Sequence, residues 1–458
     1  MSQYRFSNGV DATTGNYLPA PPSLEDLGAA LLRNGEAPLL GKDYENNSNL
    51  EPIDDVDTQD LANTGWGVIF AEGIDPAVRE ALAPLLKIRE QQAAENYHEF
   101  CGSLGYRRGQ SQENFLSQWE IGTNGLADPT LMPYYLLLVG SPEEIDFEFQ
   151  YEMDVPHAVG RIHFDTPDEY ARYAESVVAA EQRRQARRAT IFGVQNGTER
   201  NTQLLVDCLV SKVSEKLRAK HPDWAIEEVL GHGATKERLG QILEEPPSLL
   251  FTAGHGLCFP KGDPRQVSEQ GALVCSDWQG SGPVSQGSYY CAEDVDSGAD
   301  LAGMLVFQFS CFSAATPAHN DFRTLIEKDL WVPPDQPFVA GLPKRFMGLP
   351  GGRGALAVIG HVDRIWLYSF LNEETNVVEN LVFEQCLTRL LKGRRVGYAV
   401  EHLNHWHANY AVRLANLFSR KERGEAVDKQ GFARTWLVNN DARNYVLLGD
   451  PAVRLGLE

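Results

Sequence analysis

A surplus of positive charge is what this chain most plainly lacks. It sets 41 Lys and Arg against 63 Asp and Glu, a formal charge of −22. Phosphate backbones and anionic headgroups attract the opposite sign, so neither nucleic acid nor a membrane surface is an expected partner. No stretch of about 18 uninterrupted apolar residues is present, and MSQYRFSNGVDATTG at the start has no charged-then-apolar layout, so a cytoplasmic protein is expected. Cysteine is scarce: seven in 458 residues, an odd number that argues against a disulfide framework and for reduced thiols, one of them available as a nucleophile. Metal-ligand spacing is also missing. Cys258, Cys275 and Cys291 stand sixteen or more residues apart, and His402, His405 and His407 keep helical spacing only in part. The acidic stretches DVDTQD and EDVDSGAD complete no twelve-residue calcium loop. The expectation is a packed helix face for the histidines, solvated loops for the acids, and no metal or cofactor.

The length allows two or three units of ~150 residues. Residues 1–60 carry eleven carboxylates against three basic groups and little apolar periodicity, which reads as an acidic flexible arm or a loop wrapped over the surface. Residues 61–185 alternate apolar runs with helical spacing: GWGVIF and the helix after Pro76, PYYLLLVG, then the long helix begun at TPDEYARY. Residues 186–458 repeat the alternation from ATIFGV onward, through PSLLFTAG, GMLVFQFS and GALAVIG. Strands that are apolar throughout and alternate with helices predict a mostly parallel sheet covered on both faces. A polar, glycine-rich insertion at 257–300 is expected to be a long functional or mobile loop.

Two of these runs end abruptly on chemistry. LLFTAGHG stops at His255 between Gly254 and Gly256, and LVFQFSC stops at Cys311 with Phe312 and then Ser, Ala, Ala and Thr after it. Ligands of parallel sheets bind at the carboxyl ends of strands. A thiol becomes a strong nucleophile once an imidazole takes or stabilises its proton. The flanking glycines admit a substrate backbone, and the Gly256 and Cys311 N–H groups are placed to polarise a scissile carbonyl as an oxyanion hole.

These residues resemble the caspase-like superfamily of cysteine peptidases, most closely the gingipain type, with CHAT peptidases next nearest. TAGHG and FQFSC match the family's His and Cys strand ends at a separation of 311 − 255 = 56 residues. PYYLLLVGSPEEIDFEFQYEMDVPHAVGRIHFDTPDEYARY, GALAVIGHVDRIW and the Gly-Asp-Pro stretch NYVLLGDPAVRL extend the likeness over roughly residues 125–458. The resemblance implies a three-layer α/β/α sandwich of two α/β subdomains. It also implies a cysteine endopeptidase that cleaves protein substrates through a Cys311/His255 dyad and a thioester, controlled by loop ordering or by processing, with an activating protein or protease among its partners. Trp366 aligns with an aromatic of the gingipain specificity pocket.

Two departures accompany the likeness. Where gingipains place a carboxylate near the catalytic histidine, this chain has Gln195, an amide that would orient the ring without raising its basicity. At the acidic base of the gingipain pocket falls Arg200, which would favour an acidic residue before the cut; a shift of one residue puts Glu199 there instead. Asp363 and Arg364 are further candidates to line the pocket with either sign. His232, before a helix, and His361, at a strand end, read as structural. The rival reading is a non-catalytic peptide-binding or interaction module on the same scaffold.

Overall fold

The run Tyr135–Val139 shows why the chain folds in layers. Its five residues are all buried; Tyr135, Leu137 and Val139 join the main core, while Leu136 and Leu138 join a second cluster with Ile69, Phe100, Phe115 and Phe149. Because strand side chains alternate between faces, a strand apolar throughout must be covered on both. Leu85 and Leu86 of the helix Ala83–Ala93 and Tyr170 and Tyr173 of Pro167–Gln182 belong to the first cluster; Phe115 of Gln112–Ser117 and Met153 of Phe147–Met153 belong to the second. Local sequence fixes where such helices start. At Thr166-Pro167-Asp168-Glu169 a capping box and a proline in the first turn begin the helix Pro167–Gln182.

The computed structural model describes residues 9–18, 24–34, 52, 56–122, 127–321, 331–372 and 377–457. The first half carries β1 (Gly9–Asp11), β2 (Trp66–Phe70), β3 (Tyr97–Phe100), β4 (Tyr135–Val139) and β5 (Ala158–Ile162). Then come β6 (Arg188–Val194), β7 (Ala225–Gly231), β8 (Leu249–Ala253), β9 (Gly256–Cys258), β10 (Leu273–Val274), β11 (Tyr289–Tyr290) and β12 (Leu305–Phe309). Two short pairs, β13 (Ala315–Thr316) with β14 (Phe338–Val339) and β16 (Leu371–Asn372) with β17 (Val377–Val378), flank β15 (Ala357–His361), and β18 (Tyr445–Gly449) comes last.

Ten of these strands form one sheet in the order β3-β2-β4-β5-β18-β15-β12-β8-β6-β7. It is mostly parallel, with β18 antiparallel to β15. The fold is thus the three-layer α/β/α sandwich with a mostly parallel sheet. The sheet is continuous across the two halves of the chain, because β18 lies between β15 and β5. A buried polar knot ties the seam. Asp450 accepts from the Trp66 indole at 2.9 Å and from Arg89 Nε at 2.7 Å, and Arg89 also meets Glu181 at 2.6 Å.

The segment 257–300 differs from the loop expected there. It holds most of a four-stranded sheet, β1-β9-β10-β11, with its own cluster of Val10, Leu257, Phe259, Trp278 and Tyr289. The described parts of the acidic arm are docked as well: β1 pairs with β9, and the helix Leu24–Asn34 packs on the helix Lys429–Arg443. The rest of the expected arm falls largely outside the described residues.

Candidate active site

Strands β8 and β12 run parallel with Ala253 opposite Phe309. Two residues further along each, His255 and Cys311 leave the sheet side by side at its carboxyl edge. Gly256 follows His255 and lies flat against the Cys311 backbone: a Cβ there would sit 1.8 Å from the Cys311 carbonyl oxygen. Only glycine permits that approach. The turn after the thiol is strained, with Phe312 at φ +57° and its N–H donating to the Asp363 carbonyl at 3.0 Å; non-glycine residues in this region cluster at functional turns.

The thiol and the ring have different surroundings. Cys311 is fully buried, and burial pushes its pKa well above the ordinary thiol value; the Ile365 N–H, donating to Sγ at 3.1 Å, pulls the other way. His255 is also fully buried. Its Nε2 lies 3.3 Å from Glu199 Oε2 and 3.4 Å from the Tyr17 hydroxyl, and the Tyr17 and Trp278 rings meet it edge-on at 5.3 and 6.1 Å.

Glu199 is placed by the turn after β6. Asn196, buried, donates to the Cys275 and Trp278 carbonyls at 2.7 and 3.0 Å, and the Glu199 carboxylate caps the helix Arg200–Leu204 by accepting from the Asn201 and Thr202 N–H groups at 2.6 and 2.9 Å. Burial raises the Glu199 pKa, but the hydrogen bond and charge of His255, the Tyr17 hydroxyl and the Thr202 N–H outweigh it and hold the group at about 2. It is an anion fixed against the imidazole.

The carboxylate on the ring is therefore Glu199, four residues beyond Gln195, whose amide donates to the Gly197 carbonyl at 3.4 Å. The departure inferred from Gln195 is corrected by this contact. Arg200 is exposed at the start of its short helix, next in sequence to the residue that meets His255. Asp363 and Arg364 are both buried beside the thiol. Arg364 donates to Asn320 Oδ1 at 2.7 Å and lies over the Trp331 ring, and its Nε is 3.4 Å from Asp363. Asp363 borders a cavity of about 420 Å³ bounded by residues that follow β4 and β15 and precede β18. Trp366, expected on a pocket wall, is instead enclosed by Leu27 and Leu31 of the amino-terminal helix together with Phe432 and Trp436.

His232 is exposed, and its carbonyl accepts from Ser276. His361 is buried between the Asp363 carbonyl at 2.7 Å and Asp441 Oδ1 at 3.2 Å; burial lowers its pKa, but Asp441 raises it by more. Burial pushes His402 and His407 down to about 4 and about 3. Among the described residues no three His, Cys, Asp or Glu side chains gather to hold a metal, and no helix is long and apolar enough to cross a membrane.

Sequence reasoning missed Tyr17 altogether and gave Glu199 only as a pocket alternative. Tyr17 lies 238 residues from His255 in a stretch without periodicity, and nothing in its local sequence marks the contact.

No family model matches this chain, and no curated protein matches it. Solved structures are matched at low identity. A structure titled only as that of a protease is 14% identical with TM-score 0.49, covering 86% of this chain and 80% of its own. The Arg-specific cysteine proteinase gingipain R is 10% identical with TM-score 0.45, covering 88% and 80%. The complex of the pro- and mature domains of RgpB from Porphyromonas gingivalis is 11% identical with TM-score 0.45, covering 85% and 79%.

Proposed function

We propose that this chain is a cysteine endopeptidase acting on protein substrates through Cys311 and His255. The observation that carries the reading is the placement of the pair just past the matched tips of β8 and β12, with an anionic Glu199 against Nε2 of the imidazole. Glu199 engages Nε2, so in this reading Nδ1 is the nitrogen that serves the thiol and the leaving group. The Cys311 proton passes to His255; the thiolate sulfur then bonds to the scissile carbonyl carbon as the C–N bond breaks, and the imidazolium returns the proton to the departing amine. Water cleaves the thioester and regenerates the thiol. The Gly256 and Cys311 N–H groups stabilise the oxyanion. In this scheme Glu199 is a positioning residue that fixes the tautomer and orientation of the ring.

Complete burial of both side chains favours a second reading, a non-catalytic interaction module. A peptidyl acyloxymethyl ketone separates the two. The first reading expects an adduct on Cys311, located by mass spectrometry, that disappears in His255→Ala. It also expects cleavage of a denatured protein substrate to fall by ~10³-fold or more in Cys311→Ala. Unaltered cleavage in Cys311→Ala would refute it.

A further inference from the structure

We propose that His361 is a positioning residue for the nucleophile: a buried, doubly protonated imidazole that pins the turn 361–365 and so holds the Ile365 N–H on the Cys311 sulfur; the inference rests on the peptidase reading of the same site. Hydrogen bonds tie residues 311–314 to this turn. The Phe312 N–H donates to the Asp363 carbonyl and the Ala314 N–H to the His361 carbonyl, both at 3.0 Å. The His361 N–H donates to Ser313 Oγ at 3.0 Å, and the Ile365 N–H donates to Cys311 Sγ at 3.1 Å. Gly360 allows the approach, since a Cβ there would lie 3.0 Å from Ala314 N and from Ser313 Oγ.

The ring fixes the turn from within, and it meets acceptors on both sides. Nδ1 lies 2.7 Å from the Asp363 carbonyl, while Nε2 lies 3.0 Å from the carbonyl and 3.2 Å from Oδ1 of Asp441 in the helix Lys429–Arg443. Carbonyl and carboxylate oxygens offer no hydrogen, so both nitrogens must carry one, and the ring is a cation. Asp441 supplies the counter-charge and is itself fixed by the Ser369 hydroxyl; all three side chains are fully buried. Burial opposes the charge on His361, but Asp441 outweighs it and raises the pKa above the ordinary histidine value. The other ionisable groups around the ring are Tyr445 of β18, edge-on at 4.8 Å and kept neutral by burial, and Asp363, whose carboxylate accepts from the Arg364 N–H at 2.7 Å and lies 3.4 Å from Arg364 Nε.

Loss of one proton reverses one bond. Nε2 keeps its hydrogen because it faces the Asp441 carbonyl and carboxylate, so Nδ1 becomes an acceptor and turns from the Asp363 carbonyl to the Asp363 N–H, 3.2 Å away. The carbonyl that also receives Phe312 is then repelled, and the sulfur loses its fixed donor. The hold exists below the raised value and lapses as pH climbs through it.

Two neutral amides separate this bond from general packing. In His361→Asn the amide nitrogen can replace Nδ1 against the Asp363 carbonyl; in His361→Gln it can replace only Nε2. Both leave Asp441 without its cation, so both share that cost in stability. Iodoacetamide alkylation of Cys311, followed against pH and mapped by mass spectrometry, reads the thiol without requiring catalysis. The profile should move up by about one pH unit in His361→Gln and stay near wild type in His361→Asn. Equal profiles in the two variants, or a larger move in His361→Asn, overturn the proposal. Should either variant fail to fold, NMR of the wild-type protein decides: the His361 ring should titrate above about 6.5, and the Phe312 and Ile365 amide resonances should move with it. A ring that is neutral below that value, or amides that ignore its titration, overturn the proposal. The expected contrast between the variants, in a protein whose wild type cleaves nothing, upholds the hold on the thiol and refutes the peptidase. Cleavage by wild type with equal profiles in the variants does the reverse.

Discussion

At the scale of single residues, the Glu199–His255 contact has a signature in acid. A carboxyl held at about 2, against an ordinary value of 4.5, stabilises the fold above the unfolded value. That contribution is lost as pH falls from about 4.5 through about 2, because the unfolded chain takes up the proton first. Glu199→Gln should lower stability near pH 7 by on the order of 2 kcal/mol. The loss should shrink toward pH 2, so urea midpoints of the two proteins should converge in acid. Cleavage should fall by ~10- to 100-fold as the ring loses its fixed anion. His255 and Cys311 could be found in the sequence because each interrupts an apolar run at the point where a strand must end. Glu199 was obscured because it takes the cap position usually filled by Ser, Thr, Asp or Asn, and its partner is 56 residues away.

At the scale of elements, the tips of β8 and β12 can lie together only because position 256 has no side chain. Gly256→Ala would drive a methyl into the Cys311 carbonyl. The backbone there cannot yield without parting β9 from the thiol turn, so a loss of about 2–3 kcal/mol is expected, within the range of overpacking. Differential scanning calorimetry reads the loss, and acyloxymethyl ketone labelling should slow in parallel. The long apolar strands were legible because five consecutive buried positions leave little room for another reading. The four-stranded sheet was not. Strands β10 and β11 have two residues each, too few for an alternating pattern, and their cluster relies on isolated aromatics such as Trp278 and Tyr289 among glycines and serines. Trp366 was misplaced for a related reason: its cover is the amino-terminal helix, whose 11 residues give no sign of where they dock.

At the scale of the whole molecule, the two halves are held as one body by β18 and by Asp450 just after it. The Gly-Asp-Pro stretch noticed in the sequence acquires a structural purpose, since Asp450 receives Arg89 and Trp66 from the other half. Asp450→Ala would leave the fully buried Arg89 with only the Glu181 side of its pair. A loss of about 3–5 kcal/mol is expected. Because the sheet is continuous, wild-type protein should melt in a single calorimetric transition, and the variant should melt earlier or split into two.

The position of β18 also has a consequence for biosynthesis. β5 ends at Ile162 and β18 begins at Tyr445, so 282 residues lie between neighbours in the finished sheet. At ~5–20 residues per second, a ribosome needs on the order of tens of seconds to cover that gap. Throughout that interval β5 has a vacant flank, and β15 has one from its own synthesis at residues 357–361 until β18 follows; each is a template for pairing with other nascent chains. Yield in the cell should therefore depend on holdase chaperones that shield those flanks until the final strand is threaded between them.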